Sequence, residues 1–104
     1  MWGTIAKMQV KPGMEPFLLG QFQAIRTARM EGWQRTSILR SATNPNELWM
    51  IAFFDSEEHY KQNAASPAQH ALYLTLRSAL EADPEWHDIS ELITHTAEHP
   101  EQHR

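Results

Sequence analysis

His70 and Tyr73 are the two side chains of this sequence whose types and spacing point most directly to chemistry. Ser66 followed by Pro67 is a helix start signal, so both side chains fall on one predicted helix, three residues apart. A neutral imidazole can act as a base, donate a hydrogen bond or bind iron, and a phenol can donate to a carbonyl group. The structural alternatives stay open, because His70 could face solvent and Tyr73 could lie at the rim of the core.

Three histidines near the C-terminus recur at four-residue spacing, as His95, His99 and His103. Histidines at positions i and i+4 of a helix can bind a metal ion. Pro100 interrupts any helix there, and no carboxylate is placed to complete a site. We therefore predict a polar tail over residues 97–104 and no metal site.

Charge and cysteine content argue against several classes of protein. The nine Lys and Arg residues are scattered and the net charge is −4, which argues against a nucleic-acid partner. Cysteine is absent, so disulfides and thiolate metal sites are excluded, and a reducing cytoplasm is the expected location. No signal peptide is visible and no apolar run reaches the roughly 18 residues of a membrane span, so no membrane association is expected.

The aromatic content is high for a chain of this size. Four Trp, four Phe and two Tyr occur in 104 residues. A domain this small has a thin core, so we expect some of these rings to line a ligand cavity or a partner surface. Placement of several of them at the rim of an ordinary core is the alternative.

The hydrophobic pattern switches between period two and helical spacing along the chain. Period two predicts strands over residues 2–10, 33–41, 48–54 and 86–96. Helical spacing predicts a helix from Met14 to a stop at Gly32, a short helix capped by Asp55, and a longer one after Pro67. The order β-α-β-β-α-β, with its second helical region divided at Ser66, is the ferredoxin-like α+β fold with a four-stranded antiparallel sheet. Residues 1–96 form a single predicted domain.

Residues 48–54 are apolar on both faces of their predicted strand. A strand buried on both faces needs a covering layer on each side. The predicted helices supply one layer, and a second copy of the chain is the simplest source of the other. The pattern therefore predicts a homodimer.

Several turn and cap segments carry a resemblance to a known family. They are residues 10–13 (VKPG), 32–33 (GW), 41–45 (SATNP), 54–58 (FDSEE) and 66–70 (SPAQH). Together they make residues 3–93 similar to the antibiotic biosynthesis monooxygenase family of dimeric α+β barrels. The resemblance implies a homodimer whose sheets pack face to face, with a pocket between each sheet and its helices. Some members oxygenate polyaromatic molecules without a cofactor, others cleave haem, and many have no established reaction.

A cofactor-free oxygenase of this kind needs polar groups and aromatic walls around its substrate. Under the resemblance, we expect His70, Tyr73 and Asn63 to be catalytic and Arg40 to contact the substrate. The expected aromatic walls are Trp33, Trp49, Phe53 and Trp86. Each of these residues has an ordinary structural alternative, in the core, at the dimer interface or in solvent.

The haem-cleaving branch can be compared with this sequence residue by residue. Those relatives carry an Asn on the first strand, a Trp on the short helix and a His on the long helix. Here the first strand has no Asn, the Trp position falls on Asn63 and the His position on Tyr73. The three departures argue against haem as a cofactor.

Two hypotheses of function follow. The first is a cofactor-independent, monooxygenase-like dimer that acts on a small aromatic or quinone-type molecule. The second is a non-catalytic or stress-related dimer that binds such a molecule without turnover. The substrate itself is not encoded in any motif of the sequence.

Overall fold

Strands and helices follow one another along the chain in the predicted order. The computed structural model describes residues 1–25 and 30–97, with the backbone alone at Ile25. Within these residues the elements are β1 (Trp2–Gln9), α1 (Glu15–Ile25), β2 (Trp33–Arg40), β3 (Glu47–Phe54), α2 (Glu57–Ala64), α3 (Pro67–Arg77) and β4 (Glu85–Ser90). The predicted β-α-β-β-α-β order is confirmed, including the division of the second helical region before Pro67.

The strands form one antiparallel sheet in the order β2-β3-β1-β4. In β1 the even-numbered residues share a face, where Ala6 stands opposite Met50 and Met8 opposite Leu48. This face packs against the helices, and its core includes the fully buried side chains of Leu18 and Leu80. Because side chains alternate along a strand, the even-numbered residues of β1 pack against the helices, as the fold class predicts.

Serine side chains cap the two helices that follow β3. Ser66 Oγ accepts a hydrogen bond from the main-chain N–H of Gln69 at 3.1 Å, which confirms the predicted start of α3. The prediction of Asp55 as the N-cap of α2 is wrong, because the N-cap is the next residue, Ser56. Ser56 Oγ accepts from the main-chain N–H of His59 at 3.2 Å, because the Asp55 carboxylate is bonded to the His59 imidazole instead.

One predicted boundary, the end of β4, differs from the structure by several residues. Strand β4 ends at Ser90 rather than at residue 96, because its ladder with β1 extends only to the pair of Trp2 and Ser90. The last main-chain bond of that ladder runs from the N–H of Glu91 to the oxygen of Met1 at 2.8 Å. Helix α1 is described as far as Ile25, and residues 26–29 lie outside the described residues, as do His99, Pro100 and His103 of the predicted tail.

The second face of the sheet carries Trp49, Ile51 and Phe53 of β3 together with Ile5 of β1 and Leu39 of β2. No helix in the described part of the chain packs on this side, which we call the open face. Lys7 lies over the Trp49 ring at 5.8 Å, and Arg35 lies over the Phe53 ring at 4.8 Å. The open face is therefore an apolar centre with charged groups at its edges, among them Glu47, which pairs with Lys7 at 3.8 Å.

His59 and Asp55 form an ion pair that makes stability depend on pH. The imidazole Nδ1 lies 2.7 Å from Asp55 Oδ1. This hydrogen bond raises the pKa of His59 above 6.5 and lowers the pKa of Asp55 below 3.8, with burial opposing both changes in part. The His59 contribution is complete below pH 6.5 and is lost as pH rises through the raised pKa. The Asp55 contribution is complete above pH 3.8 and is lost as pH falls through the lowered pKa.

We expect the free energy of unfolding of the wild type to fall between pH 6 and 8, and the fall to be smaller in His59→Asn. Urea unfolding at several pH values in this range measures both slopes. An NMR titration of the His59 ring should give a pKa above 6.5. Identical pH profiles for the two proteins would contradict the role assigned to this pair.

Candidate functional site

A cavity of about 300 Å³ lies between the helix-facing side of the sheet and the helices. Rings form much of its wall, contributed by Phe22, Trp33, Phe54, Tyr60, Tyr73 and Trp86. The polar lining side chains are Thr4, Thr36, Asn63, Gln69 and His70. No Lys, Arg, Asp or Glu of the described residues lines it. A neutral, flat molecule is the kind of ligand that such a wall accommodates.

Asn63, His70 and Tyr73 all line this cavity. Asn63 lies near the end of α2, and its side-chain N–H donates to Gln69 Oε1 at 3.3 Å. His70 and Tyr73 lie on α3 with their rings nearly parallel and their centres 6.5 Å apart. The Tyr73 hydroxyl donates to Asp83 at 3.4 Å, outside the lining. Helices α2 and α3 thus contribute all three polar groups to the cavity lining.

Trp33 and Trp86 are the two tryptophans that the structure places at the cavity. Trp33 comes from β2, and its indole N–H donates to Thr36 Oγ1 at 2.9 Å. Trp86 comes from β4 and is 44% exposed. A cavity wall with one edge open to solvent allows a ligand to enter.

Trp49, Phe53 and Arg40 do not line the cavity. Trp49 and Phe53 lie on the open face, because they alternate with Met50 and Ala52, which face the helices. Arg40 forms an ion pair with Glu15 of α1. These three side chains are separated from the cavity, and the sheet itself lies between it and the two rings.

Tyr60 is a cavity residue that the sequence patterns did not single out. Its hydroxyl donates to Asp88 Oδ1 at 2.6 Å, and its ring meets Phe54 edge-on at 5.8 Å. Burial of the phenol, followed by the hydrogen bond to Asp88, raises its pKa to about 12, against an opposing contact with Thr4. Tyr60 precedes Asn63 by three residues on α2, and that spacing was the signal that could have identified it.

The lining residues do not fit a haem group. They offer iron one imidazole, at His70, and they offer the two haem propionates no cationic side chain. In the described residues no cluster of three His, Asp or Glu side chains could hold a metal ion. None of the described helices has both the length and the apolar character needed to cross a membrane.

Solved structures share this architecture along most of their length. A conserved protein from Methanosarcina mazei Go1 aligns with a TM-score of 0.76 and 20% identity, over 88% of this chain and 92% of its own. A mutant of SnoaB, a cofactor-independent oxygenase from Streptomyces nogalater, aligns with a TM-score of 0.77 and 18% identity, over 89% and 94% of the two chains. At these identities the likeness confirms the ferredoxin-like α+β fold. No curated protein matches the sequence.

The sequence also matches the profile of one protein family, described as antibiotic biosynthesis monooxygenase, over residues 1–73. This segment contains β1 to β3, α2 and the part of α3 that carries His70 and Tyr73. Strand β4, with Trp86 and Asp88, lies beyond it. Because the match covers more than half of the chain, this protein belongs to the antibiotic biosynthesis monooxygenase family.

Proposed function

We propose that the cavity binds a small phenol or quinone-type molecule, which the protein oxygenates with molecular oxygen and without a cofactor. The observation that carries this proposal is the aromatic wall around an uncharged cavity that also contains His70. Family membership supports the class of reaction, and the fold shared with SnoaB, a cofactor-independent oxygenase, supports the absence of a cofactor. Asn63 and Tyr73 complete the proposed polar set.

In the proposed reaction His70 removes the proton of the substrate hydroxyl group. The resulting phenolate is electron-rich and passes electrons to oxygen. One oxygen atom enters the ring and the other leaves as water, so that a phenol and one O₂ give a quinone and one water. The substrate supplies all the electrons, which is why no flavin or metal is required. The second side-chain N–H of Asn63 is left to bind the substrate oxygen, since its partner Gln69 takes only one.

We further propose that two copies pair through the open face. Trp49, Ile51 and Phe53 form an apolar surface on the side of the sheet away from the helices. Monomeric proteins rarely leave a large contiguous apolar patch uncovered. Pairing would bury the remaining exposed parts of Trp49 and Ile51 beside the already buried Phe53, while each subunit keeps its own cavity on the opposite side of its sheet.

A binding protein without turnover is the second candidate. The Tyr73 hydroxyl is bonded to Asp83 and the Asn63 amide to Gln69, so both polar groups already have partners within the protein. Polar groups that are already hydrogen-bonded within the protein can shape the cavity without taking part in a reaction. Ligand binding without oxygen consumption would favour this candidate.

Oxygen consumption with phenols and hydroquinones of one to three rings tests the proposed reaction. We expect His70→Ala to lower kcat/KM by about 100-fold or more, which is the usual contribution of a general base. Tyr73→Phe and Asn63→Ala should each cost less, about tenfold, because they remove one hydrogen bond. His95→Ala is the matched control, since His95 is exposed in the segment after β4. Full activity in His70→Ala would show that the base has been assigned to the wrong residue.

A further inference from the structure

A second cavity, of about 480 Å³, lies beside the first one, between α1 and the edge strand β2. We call it the outer cavity. Among the described residues, three line both cavities, namely Phe22 of α1 together with Trp33 and Thr36 of β2. The other residues that line the outer cavity are Leu19, Gln23, Gln34, Arg35 and Ile38. In the described part of the chain, a wall of three side chains therefore separates the two cavities.

Trp33 belongs to this wall because β2 is irregular. The register of β2 against β3 shifts between Trp33 and Arg35, so that Trp33 stands opposite Phe54 and Arg35 opposite Phe53. Phe54 lines the first cavity, whereas Phe53 lies on the open face. Regular alternation would put Trp33 on the open face with Arg35, and the irregularity brings it to the helix-facing side instead. There its indole N–H donates to Thr36 Oγ1 at 2.9 Å, which holds the ring in the wall.

We infer that Trp33 limits the length of the molecule that the first cavity accepts, by closing this cavity towards the outer one. The inference rests on the proposed function, because it concerns the ligand of the same cavity. Ligand pockets span about 300–1,000 Å³, so the first cavity is at the small end of that range and the two cavities joined would lie well inside it. Phe22 is part of the main core, so the half-buried Trp33 is the member of the wall whose loss opens it at the smaller cost in packing.

An added ring on a bound ligand has two places to go in the wild type. Towards Trp33 the indole already fills the space. Towards Trp86, which is 44% exposed, the ring would remain largely in water and gain little apolar contact. Without the indole of Trp33, the same ring would lie in the outer cavity against Leu19 and Ile38, where its burial strengthens binding.

Fluorescence titration under argon tests the inference separately from catalysis. The two ligands are 2-naphthol and 6-phenyl-2-naphthol, which differ by one ring. The ratio of their dissociation constants within one protein cancels any general loss of affinity. For the wild type we expect 6-phenyl-2-naphthol to bind no more tightly than 2-naphthol. In Trp33→Ala the affinity for 6-phenyl-2-naphthol relative to 2-naphthol should rise at least tenfold, as burial of a phenyl ring predicts.

Three further variants assign the gain to the wall and to the outer cavity. Trp33→Leu opens the same wall with a smaller loss of packing, so it should show the gain even if the alanine variant unfolds. Trp86→Ala removes an indole that lines the first cavity only, and should leave the ratio close to that of the wild type. Gln23 is exposed and lines the outer cavity only. Adding Gln23→Trp to Trp33→Ala refills the outer cavity and should cancel the gain.

Each result has a defined meaning. An unchanged ratio in the Trp33 variants, an equal gain in Trp86→Ala, or a gain that survives Gln23→Trp would overturn the inference and leave the proposed function standing. A wild type that already prefers 6-phenyl-2-naphthol would do the same. Failure of the wild type to bind 2-naphthol would overturn the proposed function as well.

Discussion

Replacing Gly3 by alanine is expected to destabilise the protein strongly, although the change adds only one methyl group. Gly3 lies in β1, opposite Phe53 of β3 on one side and Ile89 of β4 on the other. A Cβ atom at this position would overlap the main-chain oxygen of Ala52 and would lie 3.1 Å from the Phe53 Cα. Strand β1 is paired along both edges, so it cannot move aside without breaking a ladder.

The cost should be at or above the top of the about 1–3 kcal/mol that overpacking a filled interior usually takes. A loss of this size is a large part of the about 5–15 kcal/mol that stabilises a typical domain. Urea unfolding measures it directly, with Gly20→Ala as the matched control. Gly20 lies within α1, where an added Cβ meets nothing within 4 Å, so alanine there should stabilise the helix by about 0.5–1 kcal/mol. Comparable unfolding curves for Gly3→Ala and the wild type would contradict the packing at β1.

The sequence contained enough local signals to predict the elements and their order. Ser66 followed by Pro67 marked the start of α3, and the alternation in β1 identified the set of side chains that faces the helices. Both are properties of neighbouring residues, which is why they could be read without the tertiary structure. The end of β4 could not be predicted in this way. The alternating pattern continues to residue 96, but the pairing with β1 ends at the pair of Trp2 and Ser90, and no local feature of residues 86–96 marks that point.

The division of the aromatic residues between cavity and open face could not be predicted from their types. Strand β3 is apolar on both sides, so its composition gives no reason to assign Trp49 to one face and Met50 to the other. In β2 the register shifts between Trp33 and Arg35, which breaks the simple alternation that would have placed Trp33. Tyr60 was missed because its partner, Asp88, is far away in sequence and reaches it only through the sheet.

Replacing Ile51 by lysine is expected to convert the proposed dimer into a monomer. Ile51 lies near the centre of the open face, opposite Ile5 of β1 and Ser37 of β2. A lysine there places an unpaired cation at the apolar centre of a face whose edges carry Arg35 and the ion pair of Lys7 with Glu47. In a two-fold dimer the substitution occurs twice at one interface, so like charges meet across it and lose water as well.

The dimer dissociation constant should rise by about 100-fold or more, since a central interface residue commonly contributes about 2–4 kcal/mol. Size-exclusion chromatography with light scattering measures the mass, and the unfolding curve should change little because Ile51 is only partly buried in the monomer. Leu92→Lys is the control, because Leu92 is 92% exposed in the segment beyond β4 and should leave the dimer intact. A dimer that survives Ile51→Lys but not Leu92→Lys would move the interface from the open face to that segment. A wild-type monomer would overturn the proposed pairing, because the half-buried side chains of Trp49 and Ile51 would then stay in contact with water.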